Sequence, residues 1–139
     1  MKDYSELPDS MKAEELAVEF DTLLSPSNLH GFPSRQIADA LCELADRQWH
    51  AYELAIPRIQ QQVQEWLFAN WSDESLDFIE SAVWIAGRMG LQPVLDRLRQ
   101  SLSTNLPAAI RKEIEEYMAE TKGDVRDPYS SLRNLQKKE

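Results

Sequence analysis

Five side chains between positions 39 and 53 are spaced to form one row on a helix. Asp39, Glu43, Asp46, His50 and Glu53 fall at i, i+4, i+7, i+11 and i+14. At 100° per residue they share a stripe about 80° wide. Neighbouring carboxylates in such a row repel by roughly 0.2–0.5 kcal/mol per pair, a cost that a cationic partner removes. The chemistry on offer is therefore recognition of positive charge, set against the plainer alternative of a solvated helix face. Asp73, Asp77, Glu80 and Trp84 repeat the pattern at i, i+4, i+7 and i+11 and add an aromatic. An indole supplies buried contact area and can hold an Arg or Lys on its face. If its helix touches neighbours on two sides, Trp84 belongs to the core instead.

The residue types needed for other chemistry are missing or badly spaced. His30 and His50 are the only imidazoles and do not form a His-x-x-His or His-Glu-x-x-His pair, so zinc hydrolysis lacks its ligands. The order His50-Ala51-Tyr52-Glu53 is not the Glu-x-x-His of di-iron bundles. Cys42 stands alone, without a histidine on its helix face, and reads as a structural thiol. Asp73, Asp77 and Glu80 lack the glycine-centred spacing of a calcium loop, and there is no glycine-rich phosphate loop. The expectation is a protein with no catalytic residues, metal or cofactor.

The elements that must carry these rows are helices, since apolar residues recur with helical period and no segment alternates like a strand. A first helix is expected from just after Asp9 or Ser10 to about Leu24, burying Leu16, Phe20, Leu23 and Leu24. Residues 25–33 read as a loop with two apolar side chains docked on the core. Ser34 is a candidate cap for a second helix reaching about Ile56, which buries Ile37, Leu41, Leu44, Ala51, Tyr52 and Ala55. Pro57 then breaks the chain before a third helix, about Arg58 to Ala69. Ser72 reads as the cap of a fourth, closed by Gly90. Pro93 and Pro107 open helices over about 92–102 and 107–121, and Gly123 ends the last. Trp49, Trp66 and Trp71 read as packing residues. The expectation is an all-α single domain of about six helices over residues 1–123, an irregular bundle or a short stack of antiparallel helix pairs, with residues 124–139 as an irregular or weakly helical strap.

A chain of 139 residues is long enough to build one core of this kind, and 42% hydrophobic residues with only 4 Gly exclude disordered and collagen-like classes. The net charge of −9 is uneven: residues 1–80 carry 16 acidic and 5 basic side chains, whereas residues 81–139 carry 8 and 10. A negative surface repels phosphate backbones and anionic lipid, so the expected partner is a cationic protein rather than nucleic acid or a membrane. With one cysteine no internal disulfide forms, and the N-terminus lacks the apolar run of a signal peptide, so the chain is expected to be cytoplasmic.

The stretch from Asp73 to the tail, a little under half the chain, contains the words Glu74-Ser75-Leu76-Asp77-Phe78-Ile79-Glu80, Gly87-Arg88-Met89-Gly90-Leu91, Ile114-Glu115-Glu116 and Asp127-Pro128-Tyr129-Ser130. They resemble small acidic all-helical immunity proteins of bacterial polymorphic and contact-dependent growth inhibition toxin systems. The resemblance implies a stoichiometric inhibitor that occludes a cognate toxin domain, often a basic nuclease. The rival expectation is a non-catalytic helical adaptor or regulatory subunit, one that could also self-associate as a homodimer.

Overall fold

The computed structural model describes residues 1–129. Among these, a single 3-10 turn (Tyr4–Glu6) precedes seven α-helices: α1 (Ala13–Leu23), α2 (Pro26–Gly31), α3 (Ser34–His50), α4 (Pro57–Ala69), α5 (Leu76–Met89), α6 (Gln92–Ser101) and α7 (Ala108–Thr121). No strand occurs among the described residues, and the architecture is an all-α bundle around one core. The central pair is α3 with α5; α1 packs on α3, α7 on α5, and α4 and α6 close the remaining sides. Phe20, Leu41, Leu44, Ile59, Leu67, Ile79 and Ile85 are fully buried between them. Each contributes about 1.5–3 kcal/mol by leaving water.

Four local expectations are corrected. The expected loop at 25–33 contains α2, because Pro26 at the first helical position has its φ preset and no N–H to leave unpaired. Of its two apolar side chains, Phe32 packs on the core and Leu29 stays exposed. Helix α3 begins at Ser34 with Pro33 in the capping position, so Ser34 is not the cap. It ends at His50 rather than near Ile56: Tyr52 takes a left-handed φ of 56°, and Ile56 before Pro57 is extended with ψ of 151°, as the clash with a following proline ring requires. The side-chain Nε2 of buried Gln48 donates to the Glu53 carbonyl at 2.6 Å and fixes this exit. Tyr52 is therefore exposed rather than part of the buried face, while Ala55 is buried. Finally, Ser75, not Ser72, caps α5, its hydroxyl accepting from the Phe78 amide at 3.1 Å. Ser72 instead accepts from the Glu74 amide at 3.3 Å in the preceding turn.

Gly90 ends α5 in the left-handed region at φ 71°, which a residue without Cβ adopts at no steric cost. A side chain there would also press on the carbonyls of Val125 and Arg126 at 3.1 and 3.3 Å. Residues 124–129 cross this corner as an irregular strap. Val125 is buried in the core, its amide donates to Gln92 Oε1 at 2.9 Å, and the Trp49 indole N–H donates to the Pro128 carbonyl at 3.2 Å. The last ten residues of the expected strap lie outside the described residues. At the other end of the chain, Arg47, 6% exposed, donates to the carbonyls of Ser5 and Leu7 at 3.2 and 3.1 Å and so ties the N-terminal segment to α3.

Candidate protein-binding site

The α3 and α5 rows are brought together by the packing of the two helices, and the meeting redistributes their members. Asp39 from α3 and Asp77, Glu80 and Trp84 from α5 line a single groove of about 240 Å³, with Arg35, Cys42 and Ser81. Trp84 is on the surface, 41% exposed, so it is not a core residue. Its indole N–H donates to the Cys42 carbonyl at 3.3 Å, which holds the ring across the groove. One face of the ring is already taken: the Arg88 guanidinium carbon lies 3.2 Å from the ring centroid. That is the cation–π contact expected of a partner, made here within the chain.

The carboxylates of the groove differ in what they have to offer. Asp77 is ion-paired with Arg35, whose guanidinium is pushed up by that hydrogen bond and by the charges of Asp77 and Asp39. Asp39 feels Arg35 without forming an ion pair to it. Glu80 pairs with no cation among the described residues and instead faces the acidic ridge of α7. There Glu113 is pushed up from the usual carboxylate range by partial burial and by the charges of Glu80, Glu116 and Glu120. Negative charge thus continues from α3 across α5 onto α7. The α7 contribution was missed from sequence: its glutamates stand at helical spacing, but nothing local says that α7 lies beside α5.

The other expected site residues are placed elsewhere. Glu43 forms an i, i+4 ion pair with Arg47 and is part of the anchor for the N-terminal segment. Asp46 accepts from Arg88 Nε at 3.3 Å, and its carbonyl accepts from His50 Nδ1 at 2.8 Å, which fixes the proton on that nitrogen. Glu53 lies beyond the end of α3 and leaves the row. Asp73 precedes α5 and serves the fold: its Oδ1 accepts from Trp71 Nε1 at 2.9 Å and from the buried Ser101 hydroxyl at 2.7 Å, with Arg97 at 3.6 Å. Partial burial pushes its carboxyl up, but these hydrogen bonds and the Arg97 charge together hold it below the usual range.

Burial pushes the Cys42 thiol up to about 11, against a weak contact from Sγ to the Ser81 carbonyl at 4.0 Å, so it is protonated at neutral pH. No group of three or more His, Cys, Asp or Glu among the described residues is arranged to hold a metal ion. Of the other tryptophans, Trp66 is buried, while Trp49 and Trp71 are half-buried in aromatic clusters with Tyr52 and Tyr129 and with Phe68 and Phe78. No helix among the described residues is long and apolar enough to cross a membrane. No protein-family model, curated protein or solved structure matches the chain.

Proposed function

We propose that this is a non-catalytic binding protein that captures a cationic protein domain, acting as a stoichiometric inhibitor of immunity type that covers a cognate toxin in the cytoplasm. The observation that carries the reading is the convergence of Asp39, Asp77, Glu80 and exposed Trp84 from two helices on one groove. Carboxylates spread along a solvated helix keep a protein soluble; carboxylates gathered around an exposed tryptophan form the charged rim and aromatic anchor of an interface. The acidic ridge of α7 extends the field and favours encounter with a basic surface. An adaptor that recognises its partner without inhibiting it is the second reading, favoured by Tyr52, Leu54 and Ile56, three exposed apolar side chains in one short loop.

The test is capture from an extract of cells that make the protein, using the full chain and an Asp39→Asn, Glu80→Gln, Trp84→Ala variant, read by quantitative mass spectrometry. A basic protein held by the wild type and lost from the variant supports the reading. Equal retention of the same proteins by both overturns it.

A further inference from the structure

The loop that joins α3 to α4 carries three exposed apolar side chains: Tyr52, which is 67% exposed, Leu54 and Ile56. Ala55, between the last two, is buried, so Leu54 and Ile56 both point away from the core, as alternate residues of an extended segment do. Apolar side chains gathered in this way are the usual composition of a docking surface. Glu53, in their midst, pairs with no cation among the described residues.

The strap delivers the chain to this loop. Val125 is held by Gln92 and Pro128 by the Trp49 indole, and the Tyr129 hydroxyl donates to the Trp49 carbonyl at 2.9 Å, at the end of α3. The Tyr129 ring lies 5.7 Å from that of Tyr52 and 5.9 Å from that of Trp49, and its hydroxyl feels the charge of Glu53. Residues 130–139 continue from this point. Leu132 and Leu135 follow Tyr129 at i+3 and i+6, the spacing of one helix face. Six residues of chain reach up to about 20 Å, and Ile56 is no more than about 14 Å from Tyr52 by the same measure, so both leucines can reach the loop. Charge favours the same placement. Arg133, Lys137 and Lys138 against Glu139 make the segment basic in a chain of net charge −9, and the carbonyl end of α3 and Glu53 both attract a cation. We infer that residues 130–139 dock on the α3–α4 loop, with Leu132 and Leu135 covering Leu54 and Ile56 and with Arg133 beside Glu53. The loop is then a docking surface for the chain's own basic segment and is closed to a partner. The inference does not depend on the Trp84 groove.

The experiment is NOE spectroscopy on the full-length protein with labelled Leu and Ile methyls and labelled aromatic rings. The Leu132 and Leu135 methyls should give cross-peaks to the Ile56 methyls and the Tyr52 ring, unchanged on dilution. In a Leu132→Ser, Leu135→Ser variant the Ile56 methyls should open to a soluble paramagnetic agent, while the core methyls of Ile79 and Ile85 keep their positions. Absence of the cross-peaks in the wild type, or Ile56 methyls equally open to the agent in both proteins, would overturn the inference. Cross-peaks found only between differently labelled chains would assign the loop to a second copy, and cross-peaks from Leu132 or Leu135 to the Trp84 ring would place the segment in the acidic groove. Either result overturns it. Capture of a basic protein through Asp39, Glu80 and Trp84 is read separately, so the two proposals stand or fall apart from each other.

Discussion

Gly87→Ala should destabilise the protein, and Tyr117→Phe should reverse the effect. Gly87 lies inside α5, where alanine is favoured over glycine by about 1 kcal/mol. Against this, the added Cβ would stand 2.6 Å from Tyr117 Oη, well inside contact distance, with Cζ the next atom at 3.5 Å. Tyr117 is buried, 9% exposed, so accommodating the Cβ by overpacking costs about 1–3 kcal/mol. The net loss for Gly87→Ala is then about 0–2 kcal/mol. In a Tyr117→Phe background the oxygen is gone, the 3.5 Å contact is ordinary, and the same substitution should stabilise by up to about 1 kcal/mol. Tyr117→Phe by itself should not destabilise, because the hydroxyl it removes is buried without a partner. The four proteins form a double-mutant cycle, measured by urea denaturation, with an expected coupling of about 1–3 kcal/mol. In melting temperature each kcal/mol is worth about 3–5 °C for a chain of this size. A coupling below about 0.5 kcal/mol, the limit of ordinary additivity, would refute the packing described for this pair.

Asp73→Asn should cost about 1–2 kcal/mol at neutral pH through its bonds to Ser101 and Trp71. Because the folded carboxyl is held below its ordinary value of 3.8, that stability is present above the unfolded value and lost as pH falls through the folded one. Denaturation curves of wild type and variant should therefore converge on acidification, as the pH falls from above 3.8 through the lower folded value. Cys42, pushed from 9.0 to about 11 by burial, should react with a disulfide reagent about a hundredfold more slowly in the native protein than in urea, from its thiolate fraction alone. Arg47→Ala should release the carbonyls of Ser5 and Leu7 and cost about 2–4 kcal/mol, with early proteolytic cleavage near residues 3–9 as the readout.

The helices and several of their ends were legible because they are written in local chemistry: Pro57, Pro93 and Gly90 stand where a chain without an N–H or a Cβ is tolerated. The errors arose where two local signals competed. Ser72 and Ser75 are both followed by helix-forming residues, and only the packed structure selects Ser75. The apolar spacing of Tyr52 and Ala55 continues the pattern of α3, yet the approach to Pro57 and the Gln48 clamp end the helix first. Of the candidate site, the rows were visible but their availability was not. The engagement of Glu43 with Arg47 lies within one helix turn and is readable at i, i+4 spacing. The pairings of Asp77 with Arg35 and of Asp46 with Arg88 each span 42 residues and exist only because α3 lies on α5. The same packing moved Asp39, Asp77, Glu80 and Trp84 onto one groove and left Asp73 and Glu53 outside it.

The central claim is that this acidic face steers a basic protein onto the Trp84 groove, and association kinetics test it most directly. With the captured partner immobilised, the association rate constant should fall more than about tenfold between roughly 50 and 500 mM salt, as screening shortens the reach of the field. In the Asp39→Asn, Glu80→Gln double variant both the low-salt rate and its salt dependence should drop. A rate that is the same at low and high salt, or a variant that associates as fast as the wild type, would contradict the account.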